Sequence, residues 1–178
     1  MSAVLKESRK ELLVGCGNRK AKAVRCSEMP EKFSNVVTLD IDPGCGADIV
    51  HDLDVLPYPF ADNEFDEIHC YDVLEHCGYQ GDWAFFFAQF YEFYRILKPG
   101  GFFCATVPMW DSPWAWADPG HRRVITYHTL AFLSQDHYKQ EVGVTASTDY
   151  RHVWKGDFEG VGMQEHEHQL GFILRAVK

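Results

Sequence analysis

The chain has 178 residues, of which 46% are hydrophobic and 24% charged, and this composition predicts one folded domain over residues 1–178. The 17 Lys and Arg against 26 Asp and Glu give a net charge of −9, which disfavours a nucleic-acid partner. No apolar run reaches the length of a membrane span, and the first ten residues are a charged extension rather than a signal peptide. The six cysteines form no C-x-x-C pair, so we expect reduced thiols, no metal site and a cytoplasmic protein without a membrane partner.

The first third of the chain predicts a βαβ unit. Residues 11–17 (ELLVGCG) are a short apolar run that ends in glycines, and residues 35–42 (NVVTLDID) are a second run that ends in acidic residues. The basic segment between them contains helix formers up to about Met29, which predicts a short crossover helix. Residues 43–46 then leave too little chain for a helix before the third strand, ADIVHDL.

The remaining elements continue the alternation of strands and helices. A fourth strand ends in DEIHCYDVLEH, and Asp82 is the predicted N-cap of an aromatic helix that runs to about Leu97. Residues 102–107 (FFCATV) predict the fifth strand, and Thr126 caps a predicted helix through about Gln135. The runs YRHVWKGDF and HQLGFILRAV predict two antiparallel strands. The fold class is therefore α/β, with a three-layer sheet that is mostly parallel and has an antiparallel C-terminal strand.

Glycines and an acidic residue are predicted to meet at the ends of the first two strands. Gly15, Cys16 and Gly17 allow a sharp bend and a close approach of the backbone to a ligand. Asp40 ends the next strand, where a carboxylate can accept both hydroxyls of a ribose. These features favour a nucleoside site, and a glycine turn beside a solvated aspartate is the alternative.

Four motifs in order resemble those of the class I S-adenosylmethionine-dependent methyltransferases from about Glu11 to Val107. They are VVTLDIDP, HDLDVLPYPFADNEFDEI, YDVLEH and RILKPGGFF. The chain is most similar to small single-domain members whose first motif reads LGCG without an acidic residue two positions before the first glycine; that position here is Leu13, and Arg19 replaces the customary third glycine. The resemblance implies a Rossmann-like fold, S-adenosylmethionine as cofactor and S-adenosylhomocysteine as product.

The resemblance also implies which residues hold the cofactor. The 15–17 loop would lie beneath its methionyl and ribose portion, Asp40 would bind the ribose, and Ile41 would pack on the adenine. Asp52 matches the carboxylate that reads the adenine amino group, with the Leu53 amide beside it. Each of these is an ordinary strand-end residue on the alternative interpretation.

The end of the fourth strand is where the resemblance predicts that the acceptor pocket opens. Tyr71 and Asp72 match the place where the backbone meets the methionine moiety. A hydroxyl or protonated amine acceptor also needs a base, and an imidazole with a pKa near 6.5 suits that role. His76 in LEH and His121 in DPGH are the candidates, with Asp72 as the third predicted catalytic residue, and a structural histidine is the alternative in each case.

Three further features have both a functional and a structural interpretation. Residues 108–125 form a long predicted substrate-side loop whose three tryptophans either line an acceptor pocket or cover the end of the sheet. The aromatic helix predicts core packing or a homodimer contact. The EHEH run at 165–168 has two histidines at alternate positions, which without a third ligand indicate a polar strand start.

Three functions follow, in order of preference. The first is methyl transfer from S-adenosylmethionine to a small-molecule acceptor. The second is a catalytically silent module that binds S-adenosylmethionine or S-adenosylhomocysteine, suggested by Leu13 and Arg19. The third, a nucleic-acid methyltransferase, is disfavoured by the net charge and by the sequence YDVL after strand four, where a nucleobase amino-methylating enzyme would show an N/D-P-P-Y/F/W tetrad.

Overall fold

A computed structural model describes residues 9–18 and 20–178, and these form one seven-stranded sheet in the order β3-β2-β1-β4-β5-β7-β6. The strands are β1 (Glu11–Val14), β2 (Val36–Asp40), β3 (Ile49–Val50), β4 (Phe65–Tyr71), β5 (Leu97–Pro108), β6 (Phe158–His166) and β7 (Gln169–Ala176). The helices are α1 (Trp83–Ile96), α2 (Trp114–Ala117), α3 (Tyr127–Ala131) and α4 (Gln135–Glu141). Single 3-10 turns lie at Pro43–Cys45 and Leu74–His76. Strand β7 runs antiparallel to both of its neighbours, which confirms the predicted fold class.

Strand register brings the carboxyl ends of β1, β2 and β4 to one edge of the sheet. In the parallel pairs, Val14 lies opposite Leu39 of β2 and Cys70 of β4. The third strand pairs parallel with β2 after the predicted short connection. Because all these strands point the same way, the loops that follow them meet at one place, where a ligand site is expected.

Helix α1 confirms its prediction and covers one face of the sheet. The Asp82 side chain accepts a hydrogen bond from the Phe85 backbone N–H at 3.0 Å, which satisfies a free N–H at the helix start. The ring of Phe93 lies 4.6 Å from that of Phe103 on β5, measured between centroids. The fully buried apolar residues of the helix are Phe90, Phe93 and Ile96. These aromatic contacts make this face the main hydrophobic core.

The predicted crossover helix between β1 and β2 was wrong. Residues 20–35 form turns and bends, and they cover the opposite face of the sheet as irregular chain. Lys22, Val24 and Met29 are the positions whose side chains enter the interior. Their spacing does not match the 3.6-residue period of a helix, so one helical face could not bury all three.

An ion-pair cluster holds this irregular chain against the sheet. The Lys22 Nζ lies 2.7 Å from Oε1 of Glu11 on β1 and 2.5 Å from Oε2 of Glu67 on β4, and all three side chains are fully buried. Nε2 of His69 lies 2.9 Å from the same Glu67 oxygen. Burial would raise the pKa of Glu67, but the hydrogen bonds from His69, Lys22 and Arg9 hold that pKa at about 2.

The last third of the chain differs from prediction in its boundaries. Helix α3 begins after the Thr126 cap as predicted but ends at Ala131, and α4 follows as a separate helix. The YRHVWKGDF run is not a strand before Phe158, because Trp154 is buried there and donates its indole N–H to the Leu133 carbonyl oxygen at 3.0 Å. The final hairpin is β6 with β7; in the EHEH run, Glu165 and His166 end β6, and Glu167 and His168 form the turn. Across the described ranges, each helix is too short or too polar to cross a membrane.

We expect Lys22→Met to lower the free energy of unfolding by about 3 kcal/mol, because it leaves two buried carboxylates without their cation. Urea unfolding at neutral pH measures the change. Lys20→Met is the matched control, since Lys20 lies in the same segment but is exposed. Equal losses in the two variants would contradict a stabilising role for the buried ion pairs.

Acid should destabilise the fold through Glu67. Its pKa is about 2 in the folded chain and near the ordinary 4.3 in the unfolded chain, so the unfolded chain takes up the proton first. This contribution to stability is present above about pH 4.3 and is lost as the pH falls towards 2. Urea unfolding at pH 5, 4 and 3 should show a decline that is shallower in Glu67→Gln, whereas parallel declines would argue against this origin.

Candidate active site

A cavity of about 290 Å³ lies at the edge of the sheet where β1 and β2 end. Its lining includes six of the eight residues predicted to hold the cofactor, namely Gly15, Gly17, Asp40, Ile41, Asp52 and Leu53. Loop residues after β3 and β4 complete the wall. The sequence motifs around β1, β2 and β3 therefore converge on one concave site.

Asp40 points at the glycine bend. Its Oδ2 accepts a hydrogen bond from the Gly17 backbone N–H at 2.8 Å, and its Oδ1 accepts one from the Asp42 N–H at 3.0 Å. Gly15 has a φ of +61°, and a Cβ there would lie 2.1 Å from a methyl carbon of Val73. Glycine is required at position 15 by both conformation and space. Each Asp40 oxygen keeps a lone pair for a further donor.

An apolar side chain and a second carboxylate border the same cavity. Ile41 is 63% exposed, which is unusual for a large apolar residue beside a core strand. Oδ1 of Asp52 accepts a hydrogen bond from the Asp54 N–H at 2.9 Å, which fixes the carboxylate in a local turn. Leu53 is buried, and its carbonyl oxygen accepts the Tyr58 hydroxyl at 3.2 Å. The cavity thus offers one apolar surface and two oriented carboxylates.

Two predicted cofactor residues have side chains elsewhere. Cys16 is buried, and burial together with the nearby Cys45 raises its pKa to about 11, so its thiol is not a nucleophile at neutral pH. The Tyr71 hydroxyl lies 2.6 Å from Nδ1 of His69, in the polar network on the opposite face of the sheet. Neither side chain lines the cavity, so the site prediction for these residues extends to their backbone alone. Arg19 lies outside the described residues.

A second cavity, of about 350 Å³, adjoins the first. It contains all three predicted catalytic residues, Asp72, His76 and His121, and His76 also lines the first cavity. Its remaining lining residues are Glu75, Pro108, Trp114, Asp118, His168 and Gln169. The turn after β4 therefore separates the two cavities and contributes to both.

Two arginines fasten the 108–125 loop to that turn. Arg122 donates through its guanidinium to the His76 carbonyl oxygen and lies 2.7 Å from Oδ2 of Asp54. The buried Arg123 donates to the Leu74 carbonyl oxygen at 2.8 Å. These contacts place the His121 ring 4.6 Å from the His76 ring, measured between centroids. The two arginines of the DPGHRR motif thus position its histidine at the site, because they donate hydrogen bonds to backbone carbonyl oxygens of the turn.

Asp72 follows β4 in a left-handed conformation with a φ of +55°. Its Oδ1 accepts hydrogen bonds from the Thr106 hydroxyl at 3.1 Å and from Nε2 of Gln169 at 2.8 Å. Non-glycine residues with positive φ are uncommon and concentrate in turns and functional sites. The carboxylate is therefore held rigidly at the mouth of the second cavity.

Glu75 is a site residue that the sequence analysis did not single out. It is 2% exposed, and neither carboxylate oxygen has a hydrogen-bond partner among the described residues. Burial and the neighbouring Asp72 raise its pKa to about 8. The residue stands in the LEH motif, but the pattern gives no sign that its side chain points inward. A buried, unbonded carboxylate at a cavity wall is a marker of function.

The three tryptophans of the loop lie on the surface. Trp110, Trp114 and Trp116 are between 59% and 70% exposed, so they do not cover the end of the sheet. Trp114 lines the second cavity. An indole at that rim is available to a ligand.

Comparisons with known proteins agree with this architecture. Residues 12–105 match a family model described as a methyltransferase domain. No curated protein matches the chain. A SAM-dependent methyltransferase from Archaeoglobus fulgidus has a similar structure, with a TM-score of 0.57 and 15% identity over 96% of this chain and 87% of that one.

Two further solved structures have a similar fold, and one of them is described as a methyltransferase and the other as a cyclase. One is a Burkholderia thailandensis 1,6-didemethyltoxoflavin-N1-methyltransferase with bound 1,6-didemethyltoxoflavin and S-adenosylhomocysteine, at a TM-score of 0.55 and 16% identity over 96% of this chain and 72% of that one. The other is the [4+2]-cyclase SpnF, at a TM-score of 0.57 and 13% identity over 98% and 76%.

The family match extends from β1 into β5 and so includes the glycine bend, Asp40 and the turn after β4. Together with the sheet order and the cavity at the strand ends, it establishes that the chain belongs to the class I S-adenosylmethionine-dependent methyltransferases, whose cofactor is S-adenosylmethionine.

Proposed function

We propose that this protein transfers the methyl group of S-adenosylmethionine to a small-molecule acceptor, with the cofactor in the 290 Å³ cavity and the acceptor in the 350 Å³ cavity. The observation that carries the proposal is that His76 lines both cavities, so one side chain borders both bound molecules. Displacement at a methyl group requires the attacking atom, the carbon and the sulfur to be aligned, and two adjoining cavities supply that alignment.

The residues of the first cavity fit the cofactor. The free lone pairs of Asp40 can accept two ribose hydroxyls while its other contacts hold the carboxylate against the glycine bend. The exposed Ile41 offers an apolar surface for the adenine, and the free oxygen of Asp52 can accept its amino group. When bound, S-adenosylmethionine supplies a methyl group on a positively charged sulfur.

The second cavity has the side chains that a small acceptor needs. His76 and His121 lie side by side in its wall, with ring centroids 4.6 Å apart, and Asp72 lines it as well. We propose these three residues as the groups that orient the acceptor. Trp114 adds an aromatic surface at the rim, which suits a compact aromatic or sugar-like molecule.

A silent cofactor-binding module is the second candidate, because the similar fold of the cyclase SpnF shows that the architecture alone does not define methyl transfer. The presence of a second cavity lined by three histidines and three acidic residues favours an enzyme over this alternative. A homodimer stays a prediction. So does the absence of a nucleic-acid partner, for which the net charge of −9 is the support.

We expect Asp40→Ala to weaken S-adenosylhomocysteine binding at least tenfold, or about 1.4 kcal/mol, because the ribose loses its acceptor. Isothermal titration calorimetry of both proteins measures the change. Asp62→Ala is the control, since its carboxylate is 72% exposed and lies outside both cavities. An Asp40→Ala protein that binds as tightly as wild type would remove the basis of the cofactor assignment.

Turnover separates an enzyme from a silent module. Wild-type protein should form S-adenosylhomocysteine and a methylated product with at least one member of a panel of small hydroxyl, amine and thiol compounds, followed by mass spectrometry. His121→Ala should lower kcat at least tenfold with the cofactor affinity unchanged, because His121 lines the second cavity but not the first. His166→Ala, at the exposed end of β6, should leave kcat unchanged. Cofactor binding without turnover of any compound would favour the silent module.

A further inference from the structure

Three side chains with metal-binding atoms converge between the two cavities. One ligand atom from each of Glu75, His76 and His121 lies within 4.8 Å of the other two. A cation about 2.0–2.2 Å from each ligand atom holds any two of them no more than about 4.4 Å apart, so side-chain adjustments of a few tenths of an ångström would bring the three atoms onto one cation. Two imidazoles and one carboxylate form a donor set that binds divalent transition metals.

The histidine hydrogen bonds leave nitrogen atoms free for a cation. Nδ1 of His76 lies 3.1 Å from the Gly120 carbonyl oxygen, so it carries the proton and Nε2 keeps its lone pair. A histidine that binds a metal commonly donates its other N–H to a carbonyl oxygen in this way. Nδ1 of His121 is buried and has no hydrogen-bond partner within residues 9–18 and 20–178.

The third member supplies an independent sign of a missing ligand. Glu75 is only 2% exposed, and neither of its carboxylate oxygens has a hydrogen-bond partner in the described chain. Arg123 is the neighbouring cation, but its guanidinium donates to the Leu74 carbonyl oxygen and to Oε1 of Gln89. A buried carboxylate without partners is costly, and a bound cation would offset that cost.

We propose that Glu75, His76 and His121 bind a divalent transition-metal cation of the zinc class at the wall of the acceptor cavity. Three protein ligands leave at least one coordination position open, and the cavity lies beside it. The other acidic groups that line this cavity are Asp72 and Asp118, which add negative charge around the site.

The open coordination position on the cation suggests which class of acceptor the protein methylates. This inference rests on the proposed function. The acceptor would be a small molecule whose attacking atom is a hydroxyl oxygen, because a metal-bound hydroxyl loses its proton more readily. That proton passes to water, the oxygen forms a bond to the methyl carbon, and the bond from carbon to sulfur breaks. The electron pair stays on sulfur, which becomes a neutral thioether.

Cobalt binding tests the site without turnover. Co²⁺ is titrated into chelator-treated protein and followed by its visible absorption. We expect one bound Co²⁺ in wild type and at least a tenfold rise in Kd in Glu75→Gln and in His121→Gln. Glu165→Gln and His166→Ala are matched controls from the exposed end of β6 and should bind Co²⁺ as wild type does. Retained S-adenosylhomocysteine binding shows that each variant is folded and keeps this test independent of methyl transfer.

Several results would contradict the proposed metal site. These are unchanged Kd values in both cavity variants, loss of binding in the controls instead, or a thiolate-to-cobalt charge-transfer band, which would locate the ion at Cys16 and Cys45. A wild-type measurement covers the case in which a variant does not fold. In protein labelled with ¹⁵N-histidine, Zn²⁺ should shift the ring nitrogens of two of the nine histidines, and a shift of none would contradict the proposal.

The acceptor step has its own test. Chelator treatment should lower turnover of hydroxyl acceptors at least tenfold and leave S-adenosylhomocysteine binding unchanged, and Zn²⁺ should restore turnover. Metal binding with full turnover after chelation would overturn the acceptor role. Metal binding in a protein that methylates nothing would instead contradict the proposed function.

Discussion

The structure depends first on a lysine that is buried between two carboxylates. Lys22 pairs with Glu11 on β1 and Glu67 on β4, which are neighbouring strands of the sheet. No helix lies between β1 and β2 in the described chain, and these ion pairs are buried polar contacts that join the irregular segment to the sheet face. The free-energy cost of burying these charges is offset because each one has a partner of opposite charge and the carboxylates accept further hydrogen bonds. The glycine bend that begins this segment is held to the end of β2 by its own hydrogen bonds, from the Gly15 N–H to the Leu39 carbonyl oxygen and from the Gly17 N–H to Asp40.

A second constraint joins the long loop to the turn after β4. Arg122 donates to the carbonyl oxygen of His76, and Arg123 donates to that of Leu74, which also accepts the Cys77 backbone N–H within the turn. The same contacts bring the His121 ring to the His76 ring. The loop and the turn therefore form one unit. The two arginine side chains donate hydrogen bonds to backbone carbonyl oxygens of the turn, and the same contacts position the His121 ring.

The sequence predicted those parts of the fold and site that have a local physical signal. Apolar runs ending in glycine or aspartate indicated the strands and the cavity residues Gly15, Gly17 and Asp40, and Asp82 marked the start of α1. The segment after β1 was misjudged because helix propensity is a weak preference that tertiary contacts of Lys22 override. The role of Glu75 was missed because burial depends on how the distant DPGHRR loop returns over the turn. Contacts between residues far apart in sequence have no periodic pattern to reveal them.

The turn at residues 74–76 lies between the two cavities that we propose for cofactor and acceptor, and its adjacent side chains have different neighbours. His76 borders both cavities, while Glu75 faces the acceptor side without a hydrogen-bond partner in the described chain. A cation held by these two residues and His121 would fix the His76 ring, because ring orientation follows from the ligand bond and from the Gly120 carbonyl oxygen. The wall of the cofactor cavity would then be set from the acceptor side. A fixed wall would hold both molecules in one geometry, so a buried carboxyl group that is unfavourable without a partner would contribute to alignment once it binds the cation.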